Sequence, residues 1–358
     1  MRLEKVLKEM QKRQLTHLII NDPSSIDYLI NYKNNPGERM YLLLLSSDGH
    51  HKLFMNNLFY LDHELDIEQV WYSDTDNYLQ LLADEFDGAC SIGIDKNFPA
   101  RFLIPLMNLV DECHFELGSE CVDRVRMIKD EKEQQLMIEA SKINDLVVDE
   151  VINICAKGDL TEEEVSKQLE GIYQKHGCVG NSFEPIVAYG KNGADNHHSG
   201  DDSRLKVGDS IVIDIGALYK GYCSDMTRTV FYKEVSPKQK TVYELVLKAQ
   251  KAAEAMIKPG VRLCDIDKCA RDIIAEGGYT VEFNHRLGHF IGRDVHEWCD
   301  VSQNFDLEVQ EGMTFSIEPG VYLQGEFGVR IEDLILVTKD GCKVLNSYPK
   351  DLRVIGND

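Results

Sequence analysis

Residues 211–225 read IVIDIGALYKGYCSD. Ile211, Ile213 and Ile215 alternate with Val212, Asp214 and Gly216, which is the period of a β-strand, so Asp214 stands in a segment that is otherwise apolar. Lys220-Gly221 marks a turn, and the chain returns through Tyr222 and Cys223 to Asp225. A hairpin of this kind brings Asp214 and Asp225 to one face, within bonding reach of one cation. Residues 315–333, FSIEPGVYLQGEFGVRIED, repeat the device. Glu318 ends one strand, Gly325 and Gly328 serve the return, and Glu332 comes back along the next. A fifth candidate, His289, lies in the glycine-flanked GHFIG of RLGHFIGRDVHEW, residues 286–298.

An ionised carboxylate in apolar surroundings is expensive unless a cation is close by. Four carboxylates and one imidazole are a ligand set for two divalent metal ions. Mixed oxygen and imidazole donors suit manganese, cobalt, iron or zinc better than a thiolate-selecting ion, and manganese is taken first among them. Two ions about 3.5 to 4 Å apart can share a water, lower its pKa and polarise the carbonyl it attacks. The competing reading is surface acids paired with arginines such as Arg204, Arg228 and Arg330. It suits any one of the acids alone. It does not suit all five residues in these contexts.

Three further histidines need weighing. His197 follows YGKNGADN, a glycine- and asparagine-rich loop, and His296 stands seven residues after His289. Both are candidates to line the same cleft as hydrogen-bond donors to substrate or intermediate. The stretch HEW is not the zinc motif HExxH, since Cys299 and Asp300 follow. His285 has i,i+4 spacing to His289, but Gly288 intervenes and the segment is a poor helix, so His285 is discounted as a ligand.

Working outward, the first hundred-odd residues alternate short strands with helices. Strands are expected at Thr16–Asn21, Met40–Ser46, Lys52–Asn56 and Ser91–Asp95, with turns at NDPSS, NNPG and SDGH. This half reads as a compact α/β domain of residues 1–123. From 124 to 358 the pattern is α+β. Apolar spacing predicts a long helix over 129–154, Thr161 with Glu164 forms a capping-box pattern, Ser236-Pro237 opens a helix towards Ile257, and Asp265 to Ala275 reads as another. The strand-like stretches between them predict one curved, antiparallel-rich sheet with helices behind it.

Composition closes off other classes. The net charge of −22 over 358 residues argues against nucleic acid and against an anionic membrane surface. No apolar run approaches the roughly 20 residues of a membrane span. The start, MRLEKVLKEMQKRQ, carries charges throughout and does not read as a secretory signal. The ten cysteines are irregularly spaced without a CxxC, so reduced, mostly buried thiols and a cytoplasmic location are expected.

Taken in order, SFEPIVAYGKNGADNH, VIDIGALYKGYCSDMTRT, RLGHFIGRDVHEW and SIEPGVYLQGEFGVRIEDLILVT resemble the pita-bread metallopeptidases, in the branch of Xaa-Pro dipeptidases (prolidases) and Xaa-Pro aminopeptidases. DPSSIDYLINY more loosely resembles the start of the creatinase-type N-terminal domain. The resemblance implies a pita-bread (creatinase/aminopeptidase) catalytic domain behind a smaller creatinase-type α/β domain. It implies that Asp214 binds one metal, that Asp225 and Glu332 bridge both, and that His289 and Glu318 bind the second. Glu318 would also shuttle a proton, His197 would contact substrate near the scissile bond, His296 would help hold the tetrahedral intermediate, and Arg330 would orient the acids or the substrate. The substrate would be a small peptide with proline second, and the enzyme a homodimer. Three departures fall beside the pocket and bear on substrate preference: Asn196 where the family has proline, Phe290 where it often has glycine, and Cys299 where proline is usual. The lead expectation is Xaa-Pro dipeptidase. The alternatives are an Xaa-Pro aminopeptidase, a metal-free creatinase-like hydrolase, a methionine aminopeptidase and a non-catalytic pita-bread binding module.

Overall fold

The computed structural model describes residues 2–61 and 63–357. The chain packs as two units, Met1–Arg126 and Met127–Asp358. The helix Glu120–Arg126 runs across the expected boundary between residues 123 and 124 and belongs to the first unit.

The first unit is built on a six-stranded mixed sheet, ordered Glu68–Tyr72, Lys52–Asn56, Leu42–Ser46, His17–Ile20, Ser91–Ile94, His114–Leu117. Its centre is apolar at every position because both faces are covered. Leu42 and Leu44 pack with Ile19, Phe54 and Ile92 on one side; Leu43 and Leu45 pack with Leu18, Ile20 and Leu53 on the other. The two outermost strands, EQVWY and HFEL, are short and mostly half-exposed, as sheet edges are.

In the second unit two helices start where their cap signals predict, after Thr161 and Ser236, and the long helix expected over 129–154 runs from 131 to 157. Glu131–Lys157 is capped by Asp130 in a capping box with Glu133, Glu162–Lys175 by Thr161 with Glu164, and Pro237–Met256 by Ser236 with Gln239. The fourth helix, Leu263–Glu276, begins two residues earlier than its apolar spacing suggests. Among the described residues no helix is long and apolar enough to cross a membrane.

The strands of this unit do not form one sheet. A four-stranded ladder runs Val354–Ile355, Met226–Tyr232, Ser210–Ile215, Ile186–Tyr189, and a five-stranded ladder runs Glu297–Val301, Gly288–Phe290, Thr314–Ile317, Asp333–Val337, Cys342–Val344. A hairpin, Gly320–Leu323 with Phe327–Arg330, and a small three-stranded sheet stand apart. The ladders break where the backbone cannot continue pairing. Pro319 has no N–H to donate. The N–H of Glu318 goes to Leu287 O (2.8 Å) and that of Glu332 crosses to Thr227 O (3.1 Å). Helices Glu131–Lys157 and Glu162–Lys175 share an apolar core with the four-stranded ladder. Helices Pro237–Met256 and Leu263–Glu276 share one with the five-stranded ladder and the hairpin.

Candidate metal centre

The two ladders deliver their acids by register. Strand Met226–Tyr232 pairs with Ser210–Ile215 so that Thr227 faces Asp214 and Met226 faces Ile215. Asp225 therefore lies one step past the last pair, beside Gly216. A side chain at 216 would sit 2.1 Å from Ser182 Oγ and Ser224 O, so the approach requires glycine. The connecting turn has Lys220 and Gly221 both left-handed, at φ 48° and 81°, the form that suits the twist of a two-residue hairpin. In the other ladder Ile317 pairs with Asp333. Glu318 and Glu332 thus each leave their strand one residue beyond that pair and face one another.

His289 sits on the strand Gly288–Phe290, where a Cβ at 288 would lie 1.9 Å from Ser316 O. Its Nδ1 donates to Phe290 O at 3.2 Å, because a carbonyl only accepts. Nε2 of the neutral ring is then left with its lone pair, 3.4 Å from Asp225 Oδ2 and 3.5 Å from Glu318 Oε1. Ligand atoms of Asp225, His289 and Glu332 all lie within 4.8 Å of one another. Asp214 Oδ1, Asp225 Oδ1 and Glu332 Oε1 are buried without a hydrogen-bond partner among the described residues. Burial and then the charge of Asp214 hold the Asp225 carboxyl well above the ordinary carboxylate range, and burial with Asp225 does the same to Glu332. Burial pushes Glu318 up to about 7, against the pull of His289 and Arg330. Orphaned carboxylate oxygens around one bare imidazole nitrogen fit a divalent cation in both chemistry and charge.

One arginine reaches the acids. Arg330 donates to Asp214 Oδ2 (2.6 Å), Thr227 Oγ1 (2.9 Å) and Tyr322 OH (3.0 Å), while Thr227 Oγ1 donates on to Glu332 Oε2 (2.7 Å). The other suggested arginines do not bond these carboxylates: Arg228 pairs with Asp333 (2.7 Å) and donates to the backbone carbonyl of Glu332 (2.6 Å), and Arg204 donates to the carbonyl of Asp159 (2.7 Å).

A cleft of about 620 Å³ opens over the acids. Asp214, Asp225, His289, Glu318, Glu332, His197, His296 and Arg330 all line it. The His296 ring stands edge-on to His289, with centroids 4.4 Å apart. Asn196 lines the cleft; Phe290 and Cys299 are buried in the core instead. His285 keeps out of the ligand cluster but lines the wall. Its Nδ1 donates to Arg286 O (2.7 Å), so Nε2 accepts from Tyr322 OH (3.0 Å). Tyr322, Arg286 and Thr227 carry no sequence signal, since single hydroxyls and arginines have no diagnostic spacing.

Fold and site together define a metal-dependent peptidase. The chain belongs to metallopeptidase family M24, whose model matches residues 135–339, and the creatinase/prolidase N-terminal domain matches residues 2–128. It is 35% identical over 353 residues to the Xaa-Pro dipeptidase of Pyrococcus horikoshii, covering 98% of both chains. A crystal structure of prolidase from Thermococcus sibiricus is similar at TM-score 0.93 and 32% identity, covering 99% of this chain and 98% of that one. The X-Pro aminopeptidase of Thermotoga maritima is similar at TM-score 0.80 and 29% identity, covering 97% of this chain and all (100%) of that one.

Proposed function

We propose that this chain is an Xaa-Pro dipeptidase, hydrolysing the bond on the amino side of proline in small peptides. The observation that carries the reading is the cluster of buried carboxylate oxygens, without hydrogen-bond partners among the described residues, with His289 Nε2 at the floor of the cleft. Likeness to the P. horikoshii dipeptidase along nearly the whole chain supports the substrate class.

In this reading Asp214, Asp225, His289, Glu318 and Glu332 hold two divalent cations, manganese first, with cobalt, zinc and iron as alternatives. When bound, the ions supply Lewis acidity for the scissile carbonyl and for an attacking water. The residues do the rest. Glu318, at the cleft face of the cluster, takes and returns a proton at its carboxylate. His197 contacts the substrate beside the scissile bond, and His296 donates to the oxygen that gains charge. Arg330 holds Asp214 and, through Thr227, Glu332. An imide nitrogen has no hydrogen, so recognition that uses the carbonyl and the free amine needs none.

Arg286 favours a dipeptidase over an aminopeptidase. It lines the same cleft with about a third of its side chain exposed (35%); Asp300 Oδ1 holds its Nη1 at 2.6 Å, and in this reading the remaining N–H groups meet the free carboxylate that ends a dipeptide. We also read the protein as a cytoplasmic homodimer. All ten cysteines are free thiols, which suits a reducing compartment. Light scattering at graded concentrations checks the dimer.

Manganese-loaded protein is expected to cleave Ala-Pro, to cleave Ala-Pro-Ala at least tenfold more slowly, and to lose both activities on chelation. Intact Ala-Pro with every divalent metal tried would overturn the reading. Equal rates on the two peptides would shift it to an aminopeptidase.

A further inference from the structure

We propose that Glu162 and His198 form a buried bracket that positions His197 in the cleft, with Glu162 a positioning residue for the reaction. The inference rests on the reading of His197 as a substrate contact.

Glu162 is the first residue of the helix Glu162–Lys175 and has no exposed surface (0%). An acid so placed needs every lone pair matched. Oε1 accepts from Tyr189 N (2.6 Å) and Asn192 Nδ2 (3.0 Å); Oε2 accepts from Asp201 N (3.1 Å) and is 2.7 Å from His198 Nε2. All four partners belong to one segment, residues 189–201, and His197 lies inside it. That segment lies directly over the start of the helix. The N–H of Glu163 donates to Asp201 O (3.1 Å), and a Cβ on Gly200 would come 3.3 Å from Glu162 Cβ.

The first part of the segment has a second anchor, since Gln324 Nε2 donates to Ala194 O at 2.7 Å. Beyond Ala194 the Glu162 carboxylate holds the segment through His198 and Asp201, beside the Glu163 N–H bond to Asp201 O and a 3.4 Å bond from Asn192 Nδ2 to Asp201 Oδ2; of these, the carboxylate alone reaches His198, the neighbour of His197. The N–H of His197 donates only a short way back, to Asp195 Oδ1 (3.0 Å), which shapes the loop without tying it to the domain. His198 lines the cleft beside His197, so the bracket reaches the cleft wall itself. Glu162, His198 and Asp201 offer ligand atoms within 4.8 Å of one another. Both oxygens of Glu162 are already taken by N–H groups, which makes this trio a hydrogen-bonded bracket and not a cation site.

The substitution Glu162→Gln keeps the size and breaks the bracket. Whichever way the amide turns, its NH₂ meets the backbone N–H of Tyr189 or of Asp201. Amide hydrogen exchange over 195–201 is expected to rise roughly 10- to 100-fold, with 210–215 unchanged. On Ala-Pro, kcat/KM is expected to fall by a similar factor. In a His197→Ala background the same change is expected to add less than about threefold, because both act through one side chain. His198→Gln, whose amide can donate to Glu162, should keep most activity; His198→Leu should resemble E162Q. Unchanged exchange over 195–201 in E162Q overturns the bracket, as do fully multiplicative losses in the double variant. A wild-type protein that leaves Ala-Pro intact would instead sink the proposed function, and the exchange measurement would still decide the bracket.

Discussion

Arg330 grips Asp214 by one oxygen: Nη2 donates to Oδ2 at 2.6 Å, while Oδ1 is buried with no hydrogen-bond partner among the described residues. The same guanidinium reaches Thr227 and Tyr322, so three neighbours are set by one planar fork. Lysine keeps the charge but cannot make three donations in that geometry. Arg330→Lys is therefore expected to weaken metal binding roughly 10- to 100-fold, in the range of other orienting partners of metal ligands. Titration with manganese followed by elemental analysis checks it, and an unchanged affinity would show that Arg330 does not orient the cluster.

Metal binding should release protons. Without metal, burial holds Asp225, Glu332 and Glu318 above the ordinary carboxylate range, Glu318 at about 7. Ligation needs the ionised form. For acids whose folded pKa is raised, the metal-free fold loses stability as pH climbs from the ordinary carboxylate range through about 7. Chelated protein should thus melt at a lower temperature at pH 8 than at pH 5.5, and manganese should restore more of the melting temperature at pH 8. Calorimetric titration in buffers of different ionisation enthalpy counts the protons. Zero release at pH 6 would contradict the burial argument.

His285 should make the fold acid-sensitive. Burial, with Arg330 next, pushes its imidazole from 6.5 down to about 3. The folded state needs the neutral ring, since Nε2 must accept from Tyr322. The unfolded chain takes up the proton first, so stability is whole above about 6.5 and is lost as pH falls towards 3. The loss amounts to a few kcal/mol at most. His285→Gln, which can still accept from Tyr322, is expected to flatten that acid limb in urea unfolding of chelated protein. A limb of unaltered slope would assign the sensitivity to other groups.

Two glycines of one hairpin should respond differently. The sequence suggests that Gly325 and Gly328 both serve the return. Gly325 does, with φ of 78° and no atom within 4 Å of the place a methyl group would take. Gly328 is there for another reason: its Cβ would lie 1.7 Å from Gly193 O, on the segment leading to His197. Gly325→Ala is expected to cost about 1 kcal/mol. Gly328→Ala should cost roughly 3 kcal/mol or more, since backbone must move, and should also lower kcat/KM. Thermal melts and kinetics on Ala-Pro separate the two; equal costs would refute the close-approach argument.

Much of the fold is legible because its signals are local. Ser236-Pro237 and Thr161 with Glu164 start helices through contacts three residues away, and the Leu42–Leu45 run declares a strand buried on both faces. Strands Glu68–Tyr72 and His114–Leu117 are not legible, since four or five half-exposed residues are too short a run for strand formers or alternation to stand out from a loop. The single curved sheet is an expectation the structure overturns. The breaks come from Pro319 and from the N–H of Glu332 crossing to Thr227, and no alternation of residue types encodes that crossing.

The sequence by itself determined which residue types stand at Asp214, Asp225, His289, Glu318 and Glu332, and that each acid is flanked by apolar strand, because periodicity and hairpin turns are written in near neighbours. Only the tertiary structure decided that Asp225, His289 and Glu332 come within 4.8 Å, that Arg330 serves Asp214 while Arg228 turns to Asp333, and that Glu162 anchors the loop of His197. Those pairings join residues far apart along the chain, and what selects them is strand register and the need of each buried polar atom for a partner.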